Sequence, residues 1–287
     1  MHARIFDDRP CTLGEGPLWH PEREQLFWFD IIGRTLCTRV GEREHSWTFD
    51  DMVSAAGWVD KSTLLVASET ALLRFDIETG KTTVVADLDA DNASTRSNDG
   101  RADPFGGFWI GTMGKKAEKG AGAIYRFYRG EVRKIVPSVS ITNSMCFSID
   151  GRRAFFSDTA EQKVFQVGLD PHTGWLAGQP ELFIDFSGEN LNPDGAVIDA
   201  EGMMWIAQWG AGRIAAYAPD GSMMRTVSVE APHASCPAFG GPSLTTLFCT
   251  TAREGLDEKN LRDAPYSGMT FAAEDVTRGQ AEHQVVL

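Results

Sequence analysis

Two carboxylates and two amides recur at one phase of a repeating pattern: Glu15 in LGEGP, Asn98 in RSNDG, Asn143 in ITNSM and Asp194 in NPDG. Singly, each has an ordinary explanation. Glu15 reads as an exposed turn carboxylate, the P-D-G around Asp194 is a turn signal in its own right, and Asn143 can cap a turn with its side chain. Shared phase changes the reading, because equivalent positions of repeats arranged around an axis converge on that axis. Glu15, Asn143 and Asp194 then make a hard, oxygen-only donor set suited to one divalent cation, Ca2+ first, with Mg2+ and Mn2+ as alternatives. Zn2+ fits such a set less naturally. The remaining coordination positions would be left to water or substrate.

Arg96 and Asn98 alternate along TRSNDGRADP, so on an extended strand they point to the same side. Facing a metal, they would offer hydrogen-bond donors to a polyhydroxylated ligand; the plainer alternative for the segment, Arg101 included, is a charged hairpin loop. The loop GKKAEKGAG, with Lys115, Lys116 and Glu118, is placed to cover the mouth of such a site, although most of its charges read as solvated.

The elements that must position these residues are strands. LGEGPLWHPEREQLFWFD from Leu13, SAAGWVDKSTLLVAS from Ser54, SNDGRADPFGGFWIGT from Ser97, TNSMCFSIDGRRAFFSD from Thr142 and NPDGAVIDAEGMMWIAQ from Asn192 share one rhythm. A polar opening is followed by an apolar stretch, a short turn and an aromatic-rich run. A sixth copy, ASCPAFGGPSLTTLFCT from Ala234, carries Cys236 at the polar position. Recurrence at roughly 40 to 50 residues marks a propeller or solenoid. Turn-forming pieces such as DIETGK, SIDGR, DPHTG and APDGS separate the runs, with Gly where a positive φ is cheap. Six units with room for about four short strands each predict an all-β, six-bladed β-propeller occupying residues 1–287 as one domain. The N-terminal ARIF and the C-terminal HQVVL are both strand-like and are expected to meet in one blade, closing the ring. The tryptophans, Trp28, Trp109, Trp205 and Trp209 among them, are expected to pack between blades.

Net charge of -13 argues against nucleic acid and against an anionic membrane surface. MHARIFDDRP has no apolar core of signal-peptide length, and no stretch approaches a spanning helix. The five cysteines form no CxxC pair, which with their apolar surroundings suggests reduced, buried thiols and a cytoplasmic location. No GxSxG elbow, HExxH, Walker A or complete GxGxxG occurs, and DLDADN from Asp87 fails as an EF-hand loop because Asn92 stands where Gly belongs.

At LGEGPLWH, RSNDGRADPFGGFWIGTM, ITNSMCFSIDGRRAFFSD and NPDGAVIDAEGMMWIAQWGAGR the chain resembles the regucalcin/gluconolactonase/luciferin-regenerating-enzyme family of six-bladed propellers, over nearly its whole length. The resemblance implies a single divalent metal held by Glu15, Asn143 and Asp194, substrate contacts from Arg96 and Asn98, and a further one from Glu118 in the lid loop. One position departs from the family pattern: Ser144 stands where Gly usually follows the metal-binding Asn. The activity implied is hydrolysis of a sugar lactone to an aldonic acid, with the metal polarising the carbonyl and Asp194 as general base. An organophosphate or aryl-ester hydrolase using the same site, and a non-catalytic metal-binding propeller, are the competing expectations. The expected partner is a small-molecule lactone, and the expected state a monomer or weak homo-oligomer.

Overall fold

The computed structural model describes residues 1–287. Its 24 strands form six antiparallel sheets of four strands each. Blade 1 spans residues 14–48, blade 2 residues 53–87, blade 3 residues 95–139, blade 4 residues 142–185 and blade 5 residues 192–228, each a simple meander. The first strands of the blades are Gly14–His20, Val53–Asp60, Thr95–Ala102, Thr142–Phe147, Asn192–Ile198 and Ala234–Gly240. Each packs against the first strand of the next, and the last returns to the first, so they line a central channel. The six repeat copies are these inner strands with the strands that follow them.

Ring closure differs from the expectation in one half. Arg4–Asp7 does enter blade 6 as its outermost strand, pairing Arg4 with Ala272 and Ile5 with Phe271 of Thr270–Ala273. HQVVL does not join it. The segment from Gln280 runs instead across the channel end remote from Glu15. There Glu282 pairs with Arg101, the Glu282 carbonyl accepts the Trp58 indole N–H at 2.9 Å, and the Val286 N–H donates to the Gly106 carbonyl at 2.9 Å. Its strand-like composition serves a strap whose pairing partners are loop and strand-end backbone, not a sheet edge.

Each interface between neighbouring blades has its own apolar core. Phe27, Phe29 and Leu36 of blade 1 meet Leu64, Val66 and Phe75 of blade 2, and Trp205 and Ile214 of blade 5 meet Phe239 and Phe271 of blade 6. Second strands lie between blades on both faces, so Thr63–Ser68 and Phe108–Gly114 are buried throughout. That is why they read as continuous apolar runs rather than alternations. Trp28, Trp109 and Trp205 are fully buried in these cores. All five cysteines are buried and unpaired. No helix is long and apolar enough to cross a membrane.

Candidate active site

All six inner strands are interrupted by a β-bulge. The register shifts between Glu15 and Leu18, Val53 and Ala55, Ser97 and Gly100, Asn143 and Cys146, Pro193 and Ala196, and Ala234 and Pro237. Bulges re-aim side chains and end regular pairing, and here they turn the polar opening of each repeat toward the axis. TRSNDGRADP is therefore the inner strand of blade 3 and its sharp turn, not a charged hairpin loop.

The approach to two of these bulges is fixed by an aspartate at the end of the second strand. Asp30 accepts the N–H groups of Thr12 and Leu13 at 2.8 and 3.0 Å, just before Glu15. Asp158 accepts those of Ser140 and Ile141 at 2.8 and 3.1 Å, just before Asn143. Paired carboxylate acceptors of this kind lock the entering backbone, so Glu15 and Asn143 both start from a pinned position.

Glu15, Asn143, Asp194, Arg96 and Asn98 converge on one cavity of about 470 Å3. Each is almost fully buried. The Asn98 Nδ2 donates to Asn143 Oδ1 and to the Thr142 carbonyl, both at 2.9 Å, while Arg96 Nη1 donates to Asn98 Oδ1 at 2.7 Å and to the Ser97 carbonyl at 2.9 Å. Arg96 and Asn98 thus stand side by side as their alternation suggested. Asn143 Nδ2 donates to Thr159 Oγ1 at 2.9 Å.

The carboxyl groups of Glu15 and Asp194 line the same cavity, and the charge of Glu15 is felt at Asp194. Burial, then the charge of Asp99, pushes Glu15 up to about 8. Burial, then the charge of Glu15, drives Asp194 well above the ordinary aspartate range. Neither makes a salt bridge. Two buried carboxyls that repel one another call for a positive charge between them. No group of three His, Cys, Asp or Glu side chains gathers anywhere; the amide of Asn143 lines the same cavity as the two carboxyls. Asn143 Oδ1 accepts one hydrogen bond and keeps a second lone pair. The residues present fit a hard divalent cation.

Glu118 is placed differently from Arg96 and Asn98. It does not line the cavity; its Oε2 accepts the Lys116 N–H at 3.1 Å and braces the loop from which Lys115 and Lys116 reach the wall. Lys115 also pairs with Glu69. Trp209 packs against the neighbouring blade as expected of the tryptophans, and it also faces the site. It is half-buried and lines the cavity, stacked on His233 at 4.1 Å between ring centroids and 16° between planes. Glu254 and Thr159 are further wall residues that sequence reasoning missed. The signal was positional: Trp209, like Asp30 and Asp158, ends a second strand, and those ends all rise to the same mouth.

A calcium-binding protein, regucalcin, from Agrobacterium tumefaciens superimposes with a TM-score of 0.97 at 40% identity, covering 99% of this chain and 97% of that one. An L-arabinolactonase of Azospirillum brasilense is 32% identical over 97% of this chain and 94% of its own length. A 6-deoxy-6-sulfogluconolactonase of Pseudomonas putida is 30% identical over 96% of this chain and 95% of its own. The family model described as the SMP-30/Gluconolactonase/LRE-like region matches residues 13–253, and the chain belongs to that family.

Proposed function

We propose that the chain is a divalent-metal-dependent lactonase that opens a sugar (aldono-) lactone to its aldonic acid. The observation that carries this reading is the buried Glu15–Asp194 carboxyl pair, facing Asn143, Arg96 and Asn98 across one cavity. The lactonases among its relatives and the calcium-binding regucalcin support it.

Glu15, Asn143 and Asp194 would hold the cation, with Ca2+ the best match to an all-oxygen set. When bound, it supplies Lewis-acid polarisation of the lactone carbonyl. Arg96 donates hydrogen bonds to the sugar hydroxyls, Asn98, whose two N–H bonds go to Asn143 and Thr142, accepts from one through the free lone pair of its Oδ1, and Trp209 and Ile141 give the ring an apolar wall. This fixes one pose out of many. Asp194 takes the proton of the attacking water as the new C–O bond forms, then returns it to the ring oxygen as the old one breaks. The acid product ionises in solution, so each turnover releases one proton. Glu118 enters through the loop it braces rather than through contact.

Acid release from a panel of aldonolactones tests the reading, run with chelator, with Ca2+ restored, and with Asp194→Asn. Proton release that vanishes with chelator, returns with metal and falls at least about a thousandfold in the variant is expected. Full activity in Asp194→Asn removes the assignment of the base. No release from any lactone leaves a binding propeller.

A further inference from the structure

We infer that Ser144 is a positioning residue for Asp194: its hydroxyl holds the Asp194 carbonyl and so fixes the distance between two of the three proposed cation donors. The inference rests on the cation site proposed above.

Ser144 sits in the blade 4 bulge with φ of 59°, in the left-handed region that favours glycine. The corresponding bulge residue of blade 1, following Glu15, is Gly16 with φ of 51°. Gly16 has no alternative, because a Cβ there would collide with the Ser54 carbonyl oxygen. Ser144 accepts the strain of a side chain in that conformation, and its hydroxyl is used. Fully buried, Oγ donates to the Asp194 carbonyl of blade 5 and accepts from Ser157 Oγ at 3.0 Å. Thr159 Oγ1, from the same blade, donates to the preceding carbonyl of Pro193 at 2.6 Å. Two successive carbonyls are thus held by blade 4 hydroxyls where the blade 5 ladder is interrupted.

Ser144 therefore joins two donors. It is covalently next to Asn143 and hydrogen-bonded to Asp194. Blade 6 makes a comparable contact at the other carboxyl: Ser235 Oγ donates to the Gly14 carbonyl at 2.5 Å, next to Glu15. Coordination tightens when donors are held in place before the ion arrives, and a hydroxyl bridging blades does this without adding a charge.

Two variants separate the hydroxyl from the backbone strain. Ser144→Gly removes both, and Ser157 Oγ can turn fully to the Pro193 carbonyl, 3.5 Å away. Ser144→Ala removes the hydroxyl and keeps the strain. Calorimetric titration of CaCl2 into metal-stripped protein is expected to show both variants binding about five- to tenfold more weakly than wild type. The metal-free melting temperature of Ser144→Gly should stay level or rise by about 1–2 °C, whereas that of Ser144→Ala falls. In both, kcat for the lactone drops while KM is unchanged. A fold-stabilising role alone would not move Ca2+ affinity and melting temperature in opposite directions. Wild-type affinity in Ser144→Gly, within about twofold, overturns the inference, as does weakening confined to Ser144→Ala. If wild type itself binds no divalent cation, the cation site fails first and the positioning role with it.

Discussion

A protein that buries two repelling carboxyls should lose stability as pH rises, unless a cation is present. Glu15 is raised from its ordinary value of 4.5 to about 8, so between those values the metal-free folded chain holds a proton that the unfolded chain has released. The native state then binds more protons than the unfolded one, and stability falls with increasing pH. At about 1.4 kcal/mol for each pH unit between 4.5 and about 8, the ceiling is about 5 kcal/mol. With an unfolding entropy of about 2.1 cal/mol/K per residue, 287 residues lose about 8 °C of melting temperature at most. Asp194 is raised as well, by burial first and by the charge of Glu15 second, and the two neighbouring carboxyls titrate as a pair, so the fall in stability belongs to the pair rather than to either residue. His20, His233 and His283, each lowered by burial, contribute the opposite slope: stability gained as pH rises toward 6.5. Comparison with Glu15→Gln at every pH subtracts that background. Thermal melts of metal-stripped protein from pH 5 to 8.5 should fall for wild type relative to Glu15→Gln. With millimolar Ca2+ the wild-type loss should disappear, because both carboxylates are then needed ionised and protons compete with the ion. Parallel melting curves for the two metal-free proteins would refute the buried-pair argument.

The strap and the aromatic wall give two further tests. Glu282→Gln leaves Arg101 buried without its counter-charge, which should cost about 3–5 kcal/mol and lower the melting temperature by about 5–8 °C; an unchanged melt would show that the strap does not secure the channel. Trp209→Ala removes an apolar face of the cavity without touching Asp194, so KM for the lactone should rise about tenfold with kcat little changed. An equal fall in kcat would place Trp209 in the chemistry instead.

What was legible in the sequence was what repeats. The second strands could be located because blades cover both their faces, leaving runs such as TLLVAS and GFWIGT without polar alternation. Phase located the four polar residues only to within one position: Glu15 and Asn143 are the last paired residues before the bulge, whereas Asn98 and Asp194 stand one residue further on, inside it, and both positions are turned toward the axis. Features made between non-equivalent positions stayed hidden. HQVVL carries a strand's composition, but its partners are Trp58, Val59 and Gly106, and no periodicity links them. Trp209 looked like Trp28, Trp109 and Trp205, yet those are fully buried within an interface whereas half-buried Trp209 ends its strand at the mouth. Ser144 is the instructive case. Sequence marked it as an oddity in a place suited to glycine; only the cross-blade hydroxyl contact to Asp194 gives that oddity a purpose. Repetition builds the ring and aims the polar positions, so chemistry must come from where the copies differ. Those differences act through neighbouring blades, because each of the three proposed ligands is contacted from the blade before it: Asp194 by Ser144, Asn143 by Asn98, and the Glu15 strand by Ser235.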